Sequence, residues 1–202
     1  MWANQLTGSI PAGIATLEQL RTLNLPGNQI SGNIPEHISN LKELTGLNLS
    51  DNKLQGIIPE AIGSLKKLHY LDLSSNKLEG NLPQTFSNLT NLRELKVAYN
   101  LFSGELNPVF DSLVNLKMLE LNNNKFNSLP DNIGHLTGLT DLLLDSNELA
   151  KLPESIGQLS NLKRLGLTYN NLNDLPASFS RLGNLIEVNL AGNKMTTVPM
   201  AL

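Results

Sequence analysis

Leucines recur along the 202-residue chain in a fixed frame, Leu-x-x-Leu-x-Leu-x-x-Asn-x-Leu, of which residues 68–78 are one example. Alternation of apolar and polar residues in its Leu-x-Leu core is typical of a short strand with one buried and one exposed face. The frame returns every 24 residues in the first half of the chain and every 23 residues in the second. Such a period indicates a repeat architecture in which each unit packs against its neighbours.

One asparagine in each frame marks the period. After Asn4, these residues are Asn28, Asn52, Asn76, Asn100, Asn124, Asn147, Asn170 and Asn193. A side-chain amide both donates and accepts hydrogen bonds, so we predict a ladder of asparagines that satisfies backbone groups where each strand turns away. The proline that follows donates no backbone hydrogen bond and favours an extended outer segment. Apolar residues three apart, as in Pro153-x-x-Ile156-x-x-Leu159, then predict a 3₁₀-like turn.

The frame resembles the leucine-rich repeat family, whose unit reads LxxLxLxxNxL. Residues 1–115 resemble the 24-residue plant-type repeats of receptor-like kinases and polygalacturonase-inhibiting proteins, with a glycine in the Asn-x-Leu-x-Gly segment, as at Gly56 and Gly80. The repeats in residues 116–202 lack this glycine and are one residue shorter, and they resemble the 23-residue LxxLPxxIxxL repeats of Ras-binding scaffolds and bacterial proteins. The resemblance implies an α/β repeat solenoid shaped as a horseshoe. Each repeat would place one short parallel strand on the concave face and extended or 3₁₀ turns on the convex face.

The repeats predict a single solenoid of about nine units over residues 1–202. Both ends fall inside a unit, since Met1 lies three residues before Asn4 and Leu202 lies three residues after Pro199. No capping segment is recognisable, so we expect either a fragment of a longer protein or improvised caps. Uncapped edge strands would also permit end-to-end self-association.

Composition narrows the classes of function. The chain has 18 acidic and 15 basic residues, a formal net charge of −3 and no cysteine. A basic face for nucleic acid, a polybasic patch for anionic membranes and a disulfide framework are therefore not expected. Neither a signal peptide nor an apolar run long enough to span a bilayer is visible. Localisation stays open, with the cytoplasm and a bacterial surface both compatible.

The sequence contains none of the common catalytic or phosphate-binding signatures GxxxxGK[ST], GxGxxG and GxSxG. Its three histidines occupy different positions of the repeat and do not suggest a convergent metal site. His69, Asp72 and Ser74 share one strand region, but a polar concave surface explains them better than catalysis does. A solvated acidic strip likewise explains Asp141 and Asp145 better than a cation site does. We therefore expect no enzyme activity, no cofactor and no metal.

The x positions of the frame form the candidate binding surface, because strand alternation points them toward solvent on the concave face. All five phenylalanines occupy core positions, whereas the three tyrosines and Trp2 occupy solvent-facing positions. Tyrosine and tryptophan are enriched at interface hot spots. The predicted partner-binding residues are Tyr70, Asp72, Glu94, Lys96, Tyr99, Met118, Glu120, Asp141, Leu143, Asp145, Arg164 and Tyr169.

The resemblance implies a non-enzymatic module that binds a protein or a peptide, since interaction domains dominate the family. A shallow, curved sheet also suits such a partner better than a small molecule that needs enclosure. One alternative is the substrate-targeting or ligand-sensing arm of a larger kinase, ligase or effector whose catalytic domain lies outside this chain. Further alternatives are a structural or self-assembling solenoid, and a designed or chimeric one, the last suggested by the change of repeat type near Asn124.

Overall fold

The computed structural model describes residues 4–202, and in it the repeats form a solenoid with two parallel β-sheets. Met1 and Trp2 lie outside the described residues. The described strands are numbered β1–β14 along the chain. The eight strands of the concave sheet are β2 (Thr22–Asn24), β4 (Gly46–Asn48), β6 (Tyr70–Asp72), β8 (Glu94–Lys96), β10 (Met118–Glu120), β12 (Asp141–Leu143), β13 (Arg164–Gly166) and β14 (Glu187–Asn189).

The concave strands pair in register, so that equivalent residues of successive repeats form straight rows. Leu71 lies opposite Leu47 on one side and Leu95 on the other. These three leucines point into the core and are fully buried, whereas the flanking residues lie on the opposite face of the sheet and, apart from the buried Asp72, are partly exposed. The predicted alternation and the predicted short concave strand in each repeat are therefore confirmed.

A second, six-stranded parallel sheet was not anticipated from the sequence. Its strands are β1 (Thr7–Gly8), β3 (Gln29–Gly32), β5 (Lys53–Gly56), β7 (Lys77–Gly80), β9 (Leu101–Glu105) and β11 (Lys125–Ser128). Gly56 and Gly80 adopt φ angles of 72° and 80°, in the left-handed region that glycine enters without steric strain. The last strand, β11, already lies in a 23-residue repeat that lacks this glycine, and the later 23-residue repeats add no strand to the sheet.

Short 3₁₀ helices form the convex side, as predicted. They span Ala12–Thr16, Glu36–Asn40, Glu60–Ser64, Gln84–Asn88, Phe110–Ser112, Asp131–His135, Glu154–Gln158 and Ala177–Arg181. A proline directly precedes each helix except the three-residue Phe110–Ser112, where Val109 takes that position. Pro108 is displaced by one place in that repeat. The fixed φ of proline suits the extended residue before a 3₁₀ turn, which explains the shortened helix at the displaced position.

The core lies between the concave sheet and the 3₁₀ helices. All five phenylalanines are buried, and the rings of Phe102 and Phe126 stack across two repeats with their centroids 6.2 Å apart. Each repeat buries its leucines against those of the next repeat, so the apolar core is shared along the chain.

The asparagine ladder joins each repeat to the preceding one. Asn100 Nδ2 donates to the carbonyl oxygens of Val97 and Leu73, at 3.1 and 3.0 Å, and Asn100 Oδ1 accepts from Leu78 N at 2.9 Å. The Oδ1 atom of every ladder asparagine accepts from a backbone N–H of the preceding repeat. These asparagines are Asn28, Asn52, Asn76, Asn100, Asn124, Asn147, Asn170 and Asn193. The carbonyl and N–H groups exposed by each turn are thereby satisfied inside the protein.

A second set of asparagines closes the return turns and was missed in the sequence. Asn91, Asn115, Asn161 and Asn184 each precede the first leucine of a frame. Their Nδ2 atoms donate to carbonyl oxygens of the preceding repeat at 2.9, 2.8, 2.7 and 2.7 Å, respectively. The recurring Asn-Leu pair at the start of these frames was the available signal.

Replacement of Asn100 tests the ladder. We expect Asn100→Ala to lower the free energy of unfolding by about 3 kcal/mol, since the side chain is buried and its removal leaves several backbone groups unsatisfied. Urea unfolding followed by circular dichroism measures the change. Asn173→Ala is the matched control, because Asn173 is exposed and we expect a change within about 0.5 kcal/mol. Equal effects of the two substitutions would contradict a structural role for the ladder.

Two glutamates form side-chain caps between successive 3₁₀ helices. Glu60 Oε1 and Oε2 accept from Gln84 N at 3.1 Å and Thr85 N at 3.0 Å, and Glu154 makes the equivalent contacts with the next repeat. Partial burial opposes ionisation of Glu60, but its hydrogen bonds with Thr85 and Gln84 outweigh this effect and lower its pKa. Hydrogen bonds from Ser178 similarly lower the pKa of Glu154.

These caps predict a pH-dependent contribution to stability. A carboxyl whose pKa is lowered by folding stabilises the protein above its unfolded pKa, here about 4.5, and loses that effect as the pH falls through the folded pKa. The double variant Glu60→Gln/Glu154→Gln should therefore melt below the native protein at pH 7, with a smaller difference at pH 3. Glu36→Gln is the control, since Glu36 holds the same place after its proline but makes no side-chain hydrogen bond within residues 4–202. A melting difference that stays constant with pH would refute the capping role.

Candidate functional site

Two solvent-facing rows run across the concave sheet, one on each side of the buried central leucines. The row at the strand starts is Thr22, Gly46, Tyr70, Glu94, Met118, Asp141, Arg164 and Glu187. The row at the strand ends is Asn24, Asn48, Asp72, Lys96, Glu120, Leu143, Gly166 and Asn189. Nine of the twelve residues predicted to bind a partner lie in these rows, and the other three, Tyr99, Asp145 and Tyr169, follow the strands.

Tyr99 and Tyr169 lie in the turns after the strands, not on the inner strand face that the sequence suggested. Each directly precedes a ladder asparagine and has a positive φ, 54° for Tyr99 and 52° for Tyr169. The chain leaves the strand there in a left-handed turn, so strand alternation no longer sets the direction of the side chain. Both rings are exposed, by 56% and 68%, at the rim of the concave sheet.

Lys96 is the centre of a charged cluster on the concave face. Its Nζ atom lies 3.6 Å from Glu94 Oε2 and 3.5 Å from Glu120 Oε1. The same atom lies 5.8 Å from the centroid of the Tyr70 ring, within range of a cation–π interaction. Three neighbouring strands therefore present one connected group of charges and an aromatic ring.

Asp72 is less available to a partner than the sequence suggested. Only 9% of the residue is exposed, since Tyr70 Oη donates to Asp72 Oδ2 at 2.9 Å and Ser74 N donates to Asp72 Oδ1 at 3.0 Å. Burial and the nearby carboxylates, first of all Asp72, raise the pKa of Tyr70 well above its ordinary value. Asp72 is thus held by Tyr70 and a backbone N–H and makes no hydrogen bond with His69 or with the Ser74 hydroxyl.

Asp141 and Asp145 are held by different partners in the C-terminal half of the face. Asp141 pairs with Arg164 Nε on the adjacent strand and accepts from Thr140 Oγ1 at 2.6 Å. The hydrogen bond and the negative charge of Asp141 raise the pKa of Arg164. Asp145 Oδ1 accepts from Thr168 N at 2.8 Å and from Thr168 Oγ1 at 2.7 Å. The two carboxylates therefore serve separate cross-strand contacts.

Two depressions interrupt the solvent-facing rows where the strand residue is glycine. The one above Gly46 has a volume of about 240 Å³, and the one above Gly166 has a volume of about 250 Å³. The two depressions differ in the space that is available for a side chain at the glycine. A Cβ on Gly46 would lie 3.6 Å from the nearest atom, Thr22 Cγ2, whereas a Cβ on Gly166 would overlap Asp145 Oδ2. Gly166 is therefore required for the position of the Asp145 carboxylate.

The two glycines provide a matched pair of substitutions. We expect Gly166→Ala to destabilise the protein by about 1–3 kcal/mol, because the added methyl group displaces Asp145 from Thr168. Gly46→Ala should be neutral or stabilise by up to about 1 kcal/mol, since alanine fits and restricts the unfolded chain. Urea unfolding of the two variants and the native protein distinguishes these effects. A Gly46→Ala variant as unstable as Gly166→Ala would show that the overlap with Asp145 is not the cause.

Within residues 4–202, no group of three or more histidine and carboxylate side chains is arranged to hold a metal ion. No helix in that part of the chain has both the length and the apolar character needed to cross a membrane.

The architecture defines a solenoid protein built from a parallel-stranded, leucine-containing repeat. A family model for the leucine rich repeat matches residues 18–78, 42–102 and 68–126, and a model for a leucine-rich repeat region matches residues 106–201. The chain belongs to the leucine-rich repeat family. No curated protein matches it in sequence.

Solved structures show the same fold. One is the LRR ectodomain of the Arabidopsis thaliana receptor kinase GASSHO1/SCHENGEN3, in complex with CASPARIAN STRIP INTEGRITY FACTOR 2. It is 31% identical to this chain with a TM-score of 0.80, and the match covers 99% of this chain and 28% of that ectodomain. Another is the Arabidopsis HAESA ectodomain in complex with an N-terminal extended IDA peptide hormone ligand. It is 32% identical to this chain with a TM-score of 0.83, and the match covers 94% of this chain and 32% of that ectodomain. Internalin InlF from Listeria monocytogenes is 24% identical to this chain with a TM-score of 0.79, and the match covers 94% of this chain and 53% of the internalin chain. The chain thus spans less than a third of either receptor ectodomain.

Proposed function

We propose that this chain is a non-enzymatic module that binds a protein or an extended peptide across its concave sheet. The observation that carries the proposal is the continuous eight-stranded face, whose rows place charged, aromatic and apolar side chains side by side. Complexes of GASSHO1/SCHENGEN3 and of HAESA with their ligands support it, because both ectodomains are more than 30% identical to this chain.

The proposed contact surface has a charged centre and an aromatic rim. Lys96, Glu94 and Glu120 occupy the centre, where mixed charges favour one register of the ligand over others. Tyr99 and Tyr169 offer rigid contact area at the rim, and Met118 adds an apolar contact in the row at the strand starts. The remaining predicted residues, Tyr70, Asp72, Asp141, Leu143, Asp145 and Arg164, complete the same face.

The depressions suit single side chains of a peptide and not a whole small molecule. At about 240 and 250 Å³ they are smaller than the cavities that usually enclose drug-sized ligands, and both open onto the sheet. An extended chain that crosses the strands would advance about 3.3 Å per residue over repeats spaced by about 4.8 Å, so its side chains would reach several repeats.

A selection from a displayed library of random 12-residue peptides tests the proposal. We expect the native protein to select peptides that the double variant Tyr99→Ala/Tyr169→Ala binds at least about tenfold more weakly, since truncation of an aromatic hot spot typically costs more than 1 kcal/mol. Synthetic peptides and isothermal titration calorimetry provide the dissociation constants.

The matched control is Ile57→Ala/Leu101→Ala, which removes two exposed apolar side chains outside the concave sheet. Its affinity for the selected peptides should stay within about twofold of that of the native protein. Equal weakening by both double variants, or by neither, would place the binding surface elsewhere. Failure of the native protein to select any peptide would refute the proposed function.

A further inference from the structure

The net charge of the chain resides on the concave strands. Five carboxylates and two cations belong to them, a balance of 5 − 2 = 3 negative charges. These residues are Asp72, Glu94, Glu120, Asp141, Glu187, Lys96 and Arg164. The whole chain has 18 acidic and 15 basic residues, so the remaining 13 of each sign cancel. The negative charge lies on the strand residues themselves, whereas the exposed cations Arg21, Arg93, Lys117 and Lys163 directly precede four of the strands.

The depression above Gly166 combines carboxylates with an apolar wall. Its lining includes Asp145, Glu187 and the half-buried side chain of Leu143; Leu165 also borders it, but its side chain is buried in the core. Asp145 Oδ1 is occupied by Thr168, whereas Oδ2 makes no hydrogen bond within residues 4–202 and lies directly above Gly166. Glu187 is exposed and forms no ion pair within the same range. Two carboxylates at this depression are thus available to a ligand.

Arg164 also lines the depression but does not cancel its charge. Its Nε atom pairs with Asp141 on the neighbouring strand. The charged residues of the lining, Asp145, Glu187 and Arg164, carry a net charge of 1 − 2 = −1, and Arg164 is already paired with Asp141. The side chain of Leu143 offers apolar atoms against which a long basic residue can pack its aliphatic stem while it presents its charged end to the carboxylates.

The depression above Gly46 provides an internal contrast. It has nearly the same volume, but its lining consists of Thr22, Leu23, Asn24, Gly46, Asn48 and Tyr70 and includes no carboxylate. The absence of a side chain at the glycine therefore does not by itself make a depression prefer a charged ligand group. The preference arises at Gly166 from Asp145 and Glu187.

We propose that the depression above Gly166 is a subsite for a lysine or arginine side chain of the bound peptide, and this inference rests on the proposed function. Leu143 contacts the stem of that side chain, while Asp145 Oδ2 and Glu187 accept hydrogen bonds from its charged end. The same carboxylates disfavour peptides with an acidic residue in that position.

The test compares peptides selected by the native protein and by the double variant Asp145→Asn/Glu187→Gln from one random 12-residue library. Asparagine keeps the oxygen that accepts from Thr168, so the variant retains its local structure, which circular dichroism and thermal melting verify. We expect lysine or arginine to be enriched at one peptide position with the native protein and not with the variant. The control Glu79→Gln/Glu148→Gln removes two exposed carboxylates outside the concave sheet and should keep the enrichment.

A synthetic peptide from the native selection and its Lys→Gln or Arg→Gln form then complete a double-mutant cycle. Loss of the basic residue should weaken binding to the native protein about tenfold, and binding to the Asp145→Asn/Glu187→Gln variant by less than about twofold. Selected peptides without a basic preference, or with the same preference in both proteins, would overturn the subsite and leave the proposed function standing. Failure of the native protein to select any peptide would overturn both.

Discussion

The hydrogen bonds of the ladder asparagines are the interaction on which the other features of the solenoid depend. Each concave strand has only three residues, so every repeat has a turn in which backbone N–H and C=O groups leave the sheet. The apolar side chains of the core leucines cannot form hydrogen bonds with these groups. Asn100 and its equivalents satisfy these groups and contact two repeats at once. This shared contact holds the strands in register, and register produces the straight rows of the concave face.

The outer segment and the concave sheet respond differently to the change of repeat type. The second sheet continues through one strand of the shortened repeats, β11, and ends at Ser128. The concave strands nevertheless pair without a shift across the same junction, with Met118 opposite Asp141 and Glu120 opposite Leu143. Since the ladder asparagine lies between the strand and the outer segment, the strand keeps its geometry while the outer segment shortens. The proposed binding face therefore extends across both types of repeat.

Glycines within the concave strands give an otherwise regular face its local character. At Gly166 the missing side chain admits Asp145 and leaves one carboxylate oxygen facing the depression, whereas at Gly46 the space stays neutral. Glycine at these two equivalent places thus has different chemical consequences, because the neighbouring repeats supply different side chains. Side chains from three repeats determine what each depression can bind.

The repeat, the concave strands, the 3₁₀ turns and the buried phenylalanines were predictable from the sequence alone, because these follow from periodicity and apolar patterning. The sequence also indicated the main asparagine ladder from the fixed recurrence of one amide. The second sheet, the burial of Asp72 by Tyr70 and the position of Tyr99 and Tyr169 at the rim became apparent only in the folded protein. These features depend on contacts between repeats and on left-handed turns. Alternation along one strand carries no information about either of them.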